Sequence, residues 1–147
     1  MSETTYQANS VINQVLEAVI GLMNACTPFD QVTRGALPTH HGISVELDPS
    51  SPLYMHMDKN TVVPLNVVLN AKHPDMMLLL DTLNNIHGAL TRARSYPAAT
   101  AWQIVDINEY SSPRLIGRED NNDWLAAGAL TVKFYWRGMI NNAESQS

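Results

Sequence analysis

Cysteine is almost missing: Cys26 stands alone in 147 residues. A lone thiol cannot close an intrachain disulfide, so the chain must rely on a packed core and suits a reducing compartment. No apolar run approaches the roughly 18 residues of a membrane span, so no membrane partner is expected. The opening MSETTYQANS lacks a basic stretch leading into an apolar one, and no secretory leader is expected. Basic residues are few and scattered: nine Lys and Arg against fourteen Asp and Glu leave a net charge of −5. That disfavours a phosphate-gripping surface, because nucleic-acid affinity comes mainly from Lys and Arg. The glycine patterns that cradle phosphates are absent, as is the G-x-S-x-G elbow of a serine hydrolase.

What is present is a 45% hydrophobic chain of single-domain length, enough to bury a core without staples. One domain over residues 1–147 is expected, with 1–10 and 138–147 as flexible tails. Apolar positions 11/12, 15/16, 19/20 and 22/23 recur with helical period and predict a helix over about Tyr6–Ala25, stopped by Pro28. Residues 27–41, with Pro28, Gly35 and Pro38, read as loop. GISVELD (Gly42–Asp48) alternates as a half-buried strand, and LYMHMD (53–58) is Met-rich and weakly strand-like. TVVPLNVVLNAK (61–72) alternates again, its Pro64 indicating a sheet edge or a bulge. Residues 74–94 carry an apolar stripe through Met76, Leu79, Leu80, Leu83, Ile86/His87 and Leu90 and predict a helix. Ala101–Tyr110 and Ala129–Arg137 alternate as strands, with Ser111–Trp124 between them as a polar loop. Strands in succession without intervening helices argue for antiparallel pairing. The expected fold is α+β: one mainly antiparallel sheet of four to five strands, with two long helices packed on one face.

Candidate chemistry is sparse. Arg118, Glu119, Asp120 and Asp123 cluster before the last strand, yet they lack calcium-loop spacing and have no histidine nearby in sequence. A polar loop, rich in residues that tolerate turn geometry, is the better reading. His40 and His41 are adjacent and project to different sides, so they suit chelation poorly; a metal-dependent hydrolase using His40, His41 and Asp120 is a distant alternative. His87 lies by its helix's apolar stripe and reads as a satisfied, half-buried histidine. Trp102, Tyr110, Trp124, Phe134, Tyr135 and Trp136 crowd the C-terminal third and suit core plus interface better than base stacking. No enzyme activity, cofactor or metal is expected. A monomeric or dimeric small-molecule or peptide binding module, with the Met-rich segment as its lip, is the alternative of a different class.

The phrases LNAKHPDMMLLLDTLNNIHGALT, then YP and W, then SSPRLIGREDNNDW and LTVKFYWRG resemble the minor capsid proteins of tailed bacteriophages, a group similar to tail-terminator and head–tail joining proteins. The resemblance runs over about residues 60–138, strongest at Leu83-Asn84-Asn85-Ile86 and at Pro113 through Arg118. It implies a structural virion protein, assembled in the host cytoplasm. Such a subunit forms a ring, usually a hexamer, that caps the tail tube and joins it to head connector proteins. DNA would pass nearby without specific binding, which an acidic subunit permits. A ring needs a heterologous interface. Arg114, Arg118, Glu119, Asp120, Asp123, Trp124 and the outward Tyr135 are the residues expected to build it.

Overall fold

The computed structural model describes residues 3–37, 41–48 and 61–136. The Met-rich segment 53–58 and the expected tail 138–147 lie outside them. In chain order the elements are α1 (Glu3–Asn24), β1 (Val32–Arg34), β2 (Gly42–Leu47), β3 (Thr61–His73), α2 (Met76–Thr91), β4 (Trp102–Arg118) and β5 (Trp124–Trp136).

Helix α1 buries Val11, Ile12, Val15, Leu16, Val19, Ile20 and Met23, the stripe its period predicts. It begins at Glu3, three residues before the expected start. Its last residue, Asn24, accepts a hydrogen bond from the Val32 amide at 2.8 Å and so ties β1 to the helix end. Thr27, at φ 51°, turns the chain away before Pro28.

The five strands form one sheet in the order β1-β2-β3-β5-β4. β3 and β5 pair without interruption from Thr61↔Trp136 to His73↔Trp124. Val63, Leu65, Val67, Leu69 and Ala71 of β3 are buried, in register with Phe134, Val132, Leu130, Gly128 and Ala126 of β5. Strict alternation on two adjacent strands is what locks this register, because a one-residue slip would turn the apolar set outward. Pro64 interrupts nothing: β2 reaches only as far as Val67 on its other side. The proline therefore sits on a locally open edge among the described residues, where its missing N–H breaks no β2 bond.

The expected architecture needs correction. The sheet is mixed, because β1 pairs parallel with β2, Val32 facing Ile43. The two helices on one face are not established either: α2 packs on β3, β4 and β5, whereas α1 makes its contacts chiefly with β1, α2 and β4. β1 is three residues long inside a stretch punctuated by Pro28 and Gly35, too short for any periodicity to show.

Ser111–Trp124, expected as a loop, is mostly strand. Strand β4 runs on through Ser-Ser-Pro to Arg118 and pairs with β5 throughout, with register shifts between Ile104/Asp106, Glu109/Ser111, Ser111/Arg114 and Leu115/Gly117. Pro113 falls in one of these shifts on an outer strand, where a missing donor is tolerated. Only residues 119–123 form the turn, closed by the Glu119 amide to the Asp123 carbonyl at 2.7 Å, with Asn122 at φ 74°. Asn adopts this left-handed geometry more readily than most residues.

Helix α2 starts later than its pattern suggests. Asp75, not Pro74, is the boundary: its carboxylate accepts from the amides of Met77 at 3.1 Å and Leu78 at 3.2 Å. This is N-cap geometry, satisfying donors that the first turn leaves open. The helix then buries Leu79, Thr82, Leu83, Ile86, His87 and Leu90.

Candidate functional site

The β4–β5 turn gathers most of the residues singled out from the sequence. The Arg118 guanidinium lies 4.8 Å from the centre of the Trp124 ring, a cation–π contact. Glu119 accepts from the Lys72 ammonium at 3.3 Å, and Lys72 itself is buried. Lys72, Arg118, Glu119, Asp120 and Asn121 line an open depression of about 550 Å³. Its walls are polar and shallow, unlike the concave apolar pocket of a small-molecule module.

Asp123 is buried at the end of the turn, so its carboxylate does not belong to the outer surface. Arg114 lies further down β4, exposed, donating to Ser111 Oγ at 2.8 Å. Tyr135 pairs with Val62 and Gln103 at the opposite end of β5. The seven residues therefore divide between two ends of the sheet, separated by roughly 35 Å at ~3.3 Å per strand residue.

The histidines do not assemble a metal centre among the described residues: no group of three or more His, Cys, Asp or Glu comes together there. His40 lies outside those residues. His41 Nδ1 stands 3.2 Å from Asp30 Oδ2, and its ring lies 5.6 Å from that of His73, with Phe29 edge-on to both. The Cys26 thiol is pushed up by burial, and its sulfur reaches the Leu22 carbonyl at 3.5 Å. Neither property activates a nucleophile.

One cluster escaped sequence reasoning. His87 on α2 is buried, and its Nδ1 lies 2.9 Å from Glu109 Oε2 on β4. Ser112 donates to the other carboxylate oxygen at 3.0 Å. An ionised carboxylate can only accept, so Nδ1 carries the proton and Nε2 is left as the acceptor. Nε2 is buried without a hydrogen-bond partner and faces Gly128 of β5. The reading of His87 as satisfied thus holds for one nitrogen only. No spacing links positions 87, 109, 112 and 128; the β4 register shifts bring them together. The cluster mimics a His–acid–Ser arrangement, but Ser112 bonds the acid rather than the imidazole, and Nε2 is sealed behind backbone. It has no access for a substrate.

This pair makes stability depend on pH. Burial pushes His87 below its ordinary 6.5, and the Glu109 bond and charge offset only part of that. Bonds from His87 and Ser112 hold Glu109 below its ordinary 4.5. In both cases the unfolded chain binds the proton more readily than the folded one, so stability decreases as pH is lowered. The His87 contribution is complete above 6.5 and is lost as pH falls from there through the lowered folded value. The exposed Glu109 adds a smaller loss below 4.5. The urea midpoint should therefore drop between about pH 7.5 and about pH 5, and His87→Gln should flatten that drop. An equally steep drop in the variant would assign the dependence to other groups.

No family model matches the chain, and no curated protein does. Among solved structures, it is similar to a chain of "Virion of native gene transfer agent (GTA) particle", with a TM-score of 0.50 and 11% sequence identity. The likeness covers 84% of this chain and 91% of that one. At that identity it is a likeness of fold.

Proposed function

We propose that this chain is a structural virion protein of a tailed-phage-like particle, most specifically a tail-terminator or head–tail joining ring subunit. The observation that carries this reading is the fold likeness to a virion chain over nearly the whole of both partners. The phrases of residues 60–138 resemble the same broad group. In this reading the subunit caps the tail tube and meets a head connector, and it has no catalytic task. Its net charge of −5 suits a passage for DNA that must not be gripped.

A closed ring joins two different faces of each subunit. The turn end of the sheet, with Arg118, Glu119, Asp120 and Trp124, and the far end, with Tyr135, supply two such faces. Arg114 extends the first along β4. Asp123 supports the turn from within rather than touching a neighbour.

The test is solution mass by light scattering over a concentration series, with negative-stain images, alone and with purified tail tubes. Closed rings, free or on tube ends, are the expected result. A chain that neither closes into rings nor binds tube ends would overturn the reading.

A further inference from the structure

We propose that the open edge of β4 is a self-complementary contact, through which two copies of this chain associate about a two-fold axis near Ser111 and Ser112. Among the described residues, the outer edge of β4 is covered at its start and open along the rest of its length. At its start β4 is covered: the Ile104 amide donates to the Pro97 carbonyl at 3.1 Å, and the Ala99 amide to the Trp102 carbonyl at 2.8 Å. From Val105 to Arg118 no described strand lies beyond β4, which is the last in the sheet. That open stretch is centred between Ser111 and Ser112.

Three of the large apolar side chains that the fold leaves exposed lie on this stretch: Val105 at 44%, Tyr110 at 62% and Ile116 at 58%. Val105, Tyr110 and Ile116 are the residues passed over in three of the register shifts, so they project where the strand is irregular. The charges run acid first and base second: Asp106 and Glu109, then Arg114 and Arg118. Asp106 and Arg118 stand equally far from Ser112, and Glu109 and Arg114 nearly so. Asp106, Arg114 and Arg118 make no ion pair among the described residues.

A sequence of this kind complements itself when reversed. A second copy laid antiparallel brings Arg118 to Asp106 and Arg114 to Glu109, twice over, with Tyr110 of both copies beside the axis. The same acid-then-base order would place like charges together in a parallel arrangement, which selects the antiparallel two-fold. Strand addition is not the mode. Pro113 has no N–H to give, and the four shifts break the ladder, the devices by which edges avoid open-ended pairing. The contact is made by side chains, is small, and is correspondingly weak.

This two-fold contact differs in symmetry from the heterologous ring contacts of the virion reading, although it draws on the same Arg114 and Arg118. Equilibrium sedimentation at low salt, over a concentration series, tests it with Asp106→Arg, Arg118→Asp and the double variant carrying both. The expected result is a monomer–dimer equilibrium, weakened about tenfold or more by either single reversal and restored in the double. The double variant is decisive because Arg118→Asp also removes the contact with Trp124. Arg114→Glu, at an exposed position, serves as a further single reversal, with far-UV circular dichroism confirming folding. A monomer at every concentration, or an association indifferent to these reversals, would overturn the proposal. Rings of unchanged mass in all variants would overturn it; they would also remove Arg114 and Arg118 from the ring contact, but would leave the ring itself and the fold likeness to a virion chain standing. A charge-dependent dimer that never binds tube ends would do the opposite.

Discussion

Phe134→Ala is expected to lower stability by about 3–5 kcal/mol, the range for removing a fully buried ring. Phe134 has no exposed surface and lies near the C-terminal end of β5, between β3 and β4, facing Val63 across one ladder and Ile104 across the other. Strands on both sides hold the backbone at fixed spacing, so the walls of the cavity have little freedom to collapse. With a urea slope of about 2 kcal/mol/M, the midpoint should fall by roughly 2 M. Phe134→Leu keeps most of the volume and should cost less than half as much. A loss below about 1 kcal/mol for the alanine variant would mean that the ring is not in the packed core.

Gly128→Ala is expected to cost about 1–3 kcal/mol, although the change adds only a methyl group. A Cβ there would stand 2.7 Å from His87 Nε2, 2.9 Å from His87 Cε1 and 3.3 Å from the Pro113 Cα. The imidazole has little room to retreat, because its other nitrogen is bonded to Glu109. In a strand, alanine would otherwise be preferred to glycine. The clash therefore predicts a sign reversal: in a His87→Ala background, Gly128→Ala should become neutral or stabilising. A double-mutant cycle by urea denaturation reads the coupling directly. Strict additivity would show that His87 does not pack on Gly128.

Both predictions rest on residues whose burial sequence pattern anticipates to different degrees. Phe134 and Trp136 alternate with Tyr135, so their inward orientation follows from strand geometry once β5 is recognised. Gly128 carries no side chain and signals nothing until α2 is placed over it. The α1 and α2 stripes and the β3 alternation were likewise legible, because each extends over enough residues for one period to repeat. β1 was not, being three residues long. The length of β4 was not either. Ser-Ser-Pro reads as a break, and only an outer position with a partner on one side lets a strand absorb Pro113 and four register shifts. Six of the seven residues expected at an interface, all but Tyr135, fall in Ser111–Trp124, a stretch that reads as a fourteen-residue loop but of which only 119–123 is a turn. Arg114 thereby became a strand residue, and Asp123 a buried one.

By itself, then, the sequence determined the local elements with long hydrophobic periods, the absence of a disulfide within these 147 residues, and the acidic balance that disfavours phosphate. These depend on neighbours along the chain or on composition alone. Tertiary structure decided the parallel β1–β2 pair, the run of β4 to Arg118, the split of the candidate interface between two ends of the sheet, and the meeting of His87, Glu109 and Gly128. Each of these sets residues from different elements against one another, at a register that bulges and packing choose. No one-dimensional period carries that information.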